Sequence, residues 1–121
     1  MPRDPKKLQV YHLAHELVLA VYRVAPRLPI EERFDLARQL KRAAVSISTN
    51  IVEGSVQRSA AGYARYVEVA LGSAVEVRYL LDLVRDLGLL SEADLAECRN
   101  CSEHVARALQ NLLKATATFE T

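Results

Sequence analysis

Residues 43–52 read Ala43-Ala44-Val45-Ser46-Ile47-Ser48-Thr49-Asn50-Ile51-Val52, and the fold class turns on whether they form a strand or a helix. Val45-Ser46-Ile47-Ser48 alternates apolar with polar, and Thr49, Ile51 and Val52 are β-branched, both of which suit a strand. A longer pattern outweighs the shorter one. Ala37, Leu40, Ala44, Ile47 and Ile51 recur at the spacing of one helical face, and that row passes through the stretch unbroken. A lone strand would also have no sheet to take up its backbone hydrogen bonds. The stretch therefore reads as helix and the fold as all-α.

Pro29 precedes this helix, Glu31 and Glu32 fall in a first turn where the helix dipole favours negative charge, and Gly54 is placed to end it, for a span of about 30–53. Before it, Tyr11, Ala14, Val18, Val21 and Ala25 mark a helix over about 6–25 that Pro26 stops. After it, Ser59 is an N-cap and Gly88 a C-terminal stop for a helix over about 60–87. Its row of Tyr63, Val67, Ala70, Ala74, Val77, Leu81 and Val84 keeps a bundle-like register throughout. Ser91 and Asp94 form a capping box, with Leu90 and Leu95 as its staple, for a fourth helix over about 92–119. That helix carries Leu95, Cys98, Ser102, Val105, Leu109, Leu112, Thr116 and Phe119 on one row. Loops this short force sequential neighbours together, so the sequence predicts a single antiparallel up-down-up-down four-helix-bundle domain.

The apolar arcs of the first two helices span roughly 200°, about twice what one surface helix needs. Phe34, Val45 and Val52 flank the core row of the second helix, and Gly72, Val75, Tyr79 and Leu83 lie opposite the main row of the third. Phe34, Val45, Val52, Val75, Tyr79 and Leu83 are therefore candidates for a homo-oligomer interface.

Composition narrows the function classes. The chain has 121 residues, half of them apolar, and a net charge of +1, so no global field draws it to nucleic acid or anionic lipid. No apolar run is long enough to span a membrane and no signal-like segment follows the opening MPRDPKK, which predicts a cytoplasmic protein with reduced Cys98 and Cys101. No nucleophile, zincin, phosphate-loop or dinucleotide motif occurs, so the expectation is a non-enzyme with no cofactor, no metal and no small-molecule substrate. Cys98, Cys101 and His104 could suggest a thiol or metal centre. On an ideal helix, however, Cys98 lies on the apolar row and His104 about 120° away, which favours ordinary core or boundary cysteines. His12, His15 and Glu16 read as a polar helix surface rather than a cation site.

Charge is uneven along the chain: ten basic and six acidic residues precede Ser59, against six and nine from there on. Arg3, Lys6, Lys7, Arg38, Lys41, Arg42 and Arg58 can supply a local phosphate-binding surface, unless the acidic half neutralises it. Asp35, Gln39, Arg42, Ser46, Asn50 and Glu53 form a polar stripe on the second helix. The stretch 43–52 beside it has no charge, so either solvent or a packed surface can face Ser46 and Asn50. Counting back from the loop near 55–58 puts Arg42 level with Ser73 and Arg38 level with Val77, so Glu76 is expected to pair with one of these arginines.

Gln39-Leu40-Lys41-Arg42-Ala43-Ala44-Val45-Ser46-Ile47, Asn50-Ile51-Val52-Glu53-Gly54 and Ala70-Leu71-Gly72-Ser73 with Glu76 resemble the four-helix-bundle proteins encoded within intervening sequences of bacterial 23S ribosomal RNA genes. Leu8, Val10, Tyr11, Ala14 and Leu17 match that family's first helix, and the likeness covers nearly the whole chain. It marks Arg42, Ser46, Asn50, Glu53, Gly54, Gly72, Ser73 and Glu76 as motif residues. Ser48, Val52 and Ser55 replace the family's frequent Pro, Ala and aromatic residue. The resemblance implies a homopentamer without enzymatic activity. It also implies kinship with the accessory variability determinants of diversity-generating retroelements, which bind a reverse transcriptase and RNA. The sequence thus suggests an oligomeric scaffold for RNA or an RNA-processing protein, with a protein-only adaptor as the alternative.

Overall fold

The Asp4 carboxylate accepts the Lys6 N–H at 3.0 Å and caps a 3-10 turn over Pro5–Lys7. The computed structural model describes the backbone of residues 4–120 and the side chains of residues 4–116, so Arg3 and the Phe119 side chain lie outside the described residues. Leu8 is extended, and α1 (Gln9–Val24) starts three residues later than the expected position. Pro26 then forces a 3-10 turn over Ala25–Arg27.

The start of the second helix also moves. Residues Ile30–Glu32 form a 3-10 turn whose carbonyls accept at i+3: Glu32 N–H bonds to Pro29, Arg33 to Ile30 and Asp35 to Glu32. The i+4 ladder begins only where Gln39 N–H reaches the Asp35 carbonyl at 2.9 Å, so α2 runs Leu36–Ser55. Glu31 and Glu32 occupy the first turn of that short 3-10 element instead. At its other end α2 continues through Gly54, which is buried. A Cβ at Gly54 would lie 3.1 Å from Tyr66 Cβ and 3.6 Å from Tyr63 Cδ1. Close approach of a neighbouring helix, rather than helix termination, explains this glycine.

The later helices follow their punctuation. α3 (Ala60–Asp86) begins at Ser59, whose hydroxyl accepts the Gly62 N–H at 3.0 Å. It ends in a left-handed Gly88 (φ 73°), where Leu89 N–H returns to the Val84 carbonyl at 3.0 Å. α4 (Glu92–Glu120) opens with the expected capping box: Asp94 N–H donates to Ser91 Oγ at 3.1 Å, and Ser91 N–H to Asp94 Oδ2 at 3.0 Å.

Among the described residues there are four α-helices and no strand, and residues 43–52 are helical throughout. Each helix packs on two others: α1 on α2 and α4, and α3 on α2 and α4, in a four-helix bundle. The rows expected on α2 and α3 are buried in full. On α1 the buried residues are Val10, Ala14, Leu17, Ala20, Val21 and Val24, while Tyr11 and Val18 sit at the edge. A helix wedged between two neighbours buries an arc two rows wide: Ala14, Val21 and Ala25 of the expected row lie inside it, and only Tyr11 and Val18 lie at its margin.

Candidate functional site

The break before α2 lifts Phe34 away from the core, and its side chain is 85% exposed. Behind it, α1 contributes Tyr22 and α2 contributes Arg38, Lys41, Arg42, Val45, Ser46 and Thr49 to a groove of about 690 Å³ that Arg33 and Phe34 complete. Four of its nine lining residues are cationic and none is acidic. Lys41 Nζ stands 4.9 Å from the centroid of the Tyr22 ring, a cation–π contact that fixes the ammonium at the groove wall.

Part of the acidic half is engaged away from this groove. Asp82, Asp86 and Glu92 are engaged by Arg85 and Arg99, with Arg99–Asp82 at 2.8 Å and Arg99–Glu92 at 2.9 Å. Glu97 holds Arg23 at 2.9 Å and Asp94 holds Arg27, tying the end of α1 to the start of α4. The Ser91 backbone N–H and hydroxyl, with Arg27, keep the Asp94 carboxyl below its ordinary range. Among the described residues no ion pair involves Arg33, Arg38, Lys41 or Arg42. Asp82, Glu92, Asp94 and Glu97 are taken up at the α3–α4 and α1–α4 seams, and no carboxylate lines the α1–α2 groove.

The expected Glu76 pair with Arg38 or Arg42 does not form; Glu76 and both arginines are exposed. Instead the Ser46 and Ser73 hydroxyls meet across α2 and α3 at 2.8 Å. Side chains lean toward the N-terminus of their own helix. A count from the loop alone leaves that lean out, and Ser73 meets Ser46 rather than Arg42, one turn away. Asn50 Nδ2 donates to the Ser46 carbonyl at 2.7 Å and to Ser46 Oγ at 3.2 Å, and either hydroxyl can donate in the Ser46–Ser73 bond. Ser46 with Ser73, and Gly54 with Tyr66, thus mark the α2–α3 contact, and Asn50 braces Ser46 from within α2.

The model of the 23S rRNA-intervening sequence proteins matches residues 6–111 of this chain. The chain belongs to that family. No match is found among curated proteins.

The remaining candidate residues of this 23S rRNA-intervening sequence protein are dispersed. Arg38, Lys41 and Arg42 share the groove; Lys6 and Lys7 lie in the turn before α1, and Arg58 in the loop after α2, all three exposed. Of the apolar candidates, Phe34 and Val45 line the groove, while Val52 borders a hollow with Tyr11, His15 and Glu53. Val75 and Tyr79 are exposed on α3, Leu83 half-buried, and Gly72 exposed with open space where a Cβ would stand. Sequence reasoning missed Arg33 and Tyr22 and assigned Phe34 to a homo-oligomer interface. The signal was present in Tyr22-Arg23 and Arg33-Phe34, aromatic and basic residues side by side at helix ends.

The cysteine and histidine clusters do not converge. Among the described residues no three His, Cys, Asp or Glu side chains are grouped to hold a metal. His12 Nε2 donates to the Lys6 carbonyl at 2.7 Å, and His104 is exposed beside the α1–α4 hollow. Cys98 is buried, and burial pushes its thiol up to about 11; burial also raises half-buried Cys101. Because the folded state holds the Cys98 proton longer than the unfolded chain does, stability falls as pH rises. The fall begins near the ordinary value of 9 and is complete near 11. Urea denaturation across that window should cost the native protein roughly 2 kcal/mol more than a Cys98→Val variant. Equal pH dependence of the two would show that Cys98 is not buried as described.

Proposed function

We propose that this chain is a non-enzymatic, oligomeric scaffold that holds RNA on the cationic groove between α1 and α2. The observation that carries the reading is the groove's charge: Arg33, Arg38, Lys41 and Arg42 together, with no lining carboxylate. Phosphates are held by such clusters, and the gain per contact grows as counterions are released. A chain of net charge +1 concentrates this attraction at one place, and repetition in an oligomer multiplies it.

The assembly we propose is a homopentamer of up-down-up-down bundles in the cytoplasm, the number being the one the resemblance implies. Short loops and the meetings of Ser46 with Ser73 and Gly54 with Tyr66 support the helix order. Exposed Val69, Val75, Tyr79 and Leu87 on and just beyond α3 supply uncovered apolar surface for a second copy. An RNA-processing protein such as a reverse transcriptase, as for the retroelement accessory proteins, is the partner class in keeping with RNA on the groove. The near-neutral net charge favours a second reading, a protein-only adaptor.

Lys41→Glu with Arg42→Glu tests the choice. By fluorescence anisotropy with a labelled RNA at low salt, the double variant should bind at least about tenfold more weakly. Its log K should fall less steeply with log salt, by roughly 1.4 for two lost contacts to a single strand. Native mass spectrometry should report an unchanged subunit number. Unchanged RNA affinity would count against the groove and for the adaptor.

A further inference from the structure

The groove pairs its charge with an aromatic ring that nothing in the chain covers. Phe34 stands 85% exposed on the turn before α2, beside Arg33 and Arg38. Tyr22, on the opposite wall, has the Lys41 ammonium over its ring. The two aromatics therefore do different work: Tyr22 positions a cation, and Phe34 offers an open π-face at the height of the phosphate-binding charges.

We infer that the groove selects single-stranded over duplex nucleic acid, with an unpaired base stacking on Phe34 while Arg33, Arg38, Lys41 and Arg42 hold the flanking phosphates. The inference rests on the RNA reading above. A cationic track with an exposed aromatic is the combination that single strands use, because every base has a π-face and stacking tolerates any sequence. In an A-form duplex those faces are buried in the base stack, and a protein meets mainly phosphates and 2′-hydroxyls. A duplex would draw on the four cations and leave Phe34 in water. A two-fold contact of this patch with its own copy is disfavoured, since it would bring eight cations together without a lining carboxylate.

The test compares a labelled 20-nucleotide RNA of mixed sequence with the same strand annealed to its complement, using the full chain and anisotropy at several salt concentrations. The wild type should prefer the single strand. Phe34→Ala should weaken single-strand binding about 5- to 150-fold, leave duplex affinity unchanged, and leave the salt dependence unchanged, because it removes stacking and no phosphate contact. Phe34→Trp should retain single-strand binding, with its emission quenched as the base stacks. Equal affinity of wild type and Phe34→Ala for the single strand overturns the inference. If Lys41→Glu/Arg42→Glu still weakens both probes in that case, the RNA reading stands without it. Binding of neither probe by the wild type overturns both. A lower subunit number for Phe34→Ala in native mass spectrometry also overturns the inference, by assigning Phe34 to contact between copies.

Discussion

Ile47→Ala is expected to cost about 2 to 5 kcal/mol of stability, whereas Val45→Ala, two residues away, should cost less than about 1 kcal/mol. The contrast follows from helical geometry. Ile47 is fully buried, whereas Val45 is half-buried and borders the groove. On a strand the two side chains would share a face and a fate; on a helix they are turned about 200° apart. Alanine also has the higher helix propensity, which offsets a few tenths of a kcal/mol at each position. At Ile47 that gain is small beside the lost transfer energy and the cavity left behind. Buried Ala14, Ala43, Ala44, Ala70 and Ala74 already allow close helix approach, so little room remains for the site to collapse. Urea denaturation at fixed protein concentration measures both variants. Equal losses would mean that residues 43–52 do not present a helical face to the core.

That stretch also marks how far the fold was legible in the sequence. Periodicity over a whole helix fixed the buried rows of α2 and α3, and the capping chemistry of Ser59, Gly88 and Ser91 with Asp94 placed three helix ends within a residue or so. The errors arose where a residue type carries two physical meanings. Pro29 followed by two glutamates suits an α-helix start and a 3-10 turn equally, and the choice depends on whether carbonyls are taken at i+3 or i+4. Gly54 suits a helix stop and a close helix contact, and only the position of Tyr66 decides between them.

The candidate site was legible in its charges and not in its setting. Arg38, Lys41 and Arg42 share one helix, so their proximity follows from local sequence. Their electrostatic freedom does not. It depends on Arg23, Arg27, Arg85 and Arg99 engaging carboxylates that lie up to 74 positions away in the chain. Nor does the register of Glu76, which depends on the lean of side chains on both helices as well as on a count from the loop. Phe34 shows the same limit: inside a continuous helix it reads as the flank of an oligomer interface, and only the break before α2 sets it among the groove's cations.

Two helical glycines, Gly54 in the last turn of α2 and Gly72 inside α3, should respond to substitution with opposite sign. Gly54→Val is expected to destabilise the protein by about 1 to 3 kcal/mol, since its Cβ alone would stand 3.1 Å from Tyr66 Cβ and the added methyls would press further into α3. The contact is rigid on both sides. Tyr66 Cβ is fixed by its backbone, and Tyr63 Cδ1, 3.6 Å away, belongs to a buried ring. Gly72→Ala meets nothing within 4 Å and should stabilise the fold by up to about 1 kcal/mol through helix propensity alone. The second outcome also bears on assembly. An exposed glycine inside a helix costs stability that nothing within the chain offsets, and it lies near Val69, Val75 and Tyr79, where the apolar surface is uncovered. If a second copy approaches there, Gly72→Ala will raise the urea midpoint at protein concentrations where the chain is monomeric, and native mass spectrometry will show weakened assembly. If both fold and assembly gain, the close approach lies elsewhere on the bundle and Gly72 is a solvent-facing residue.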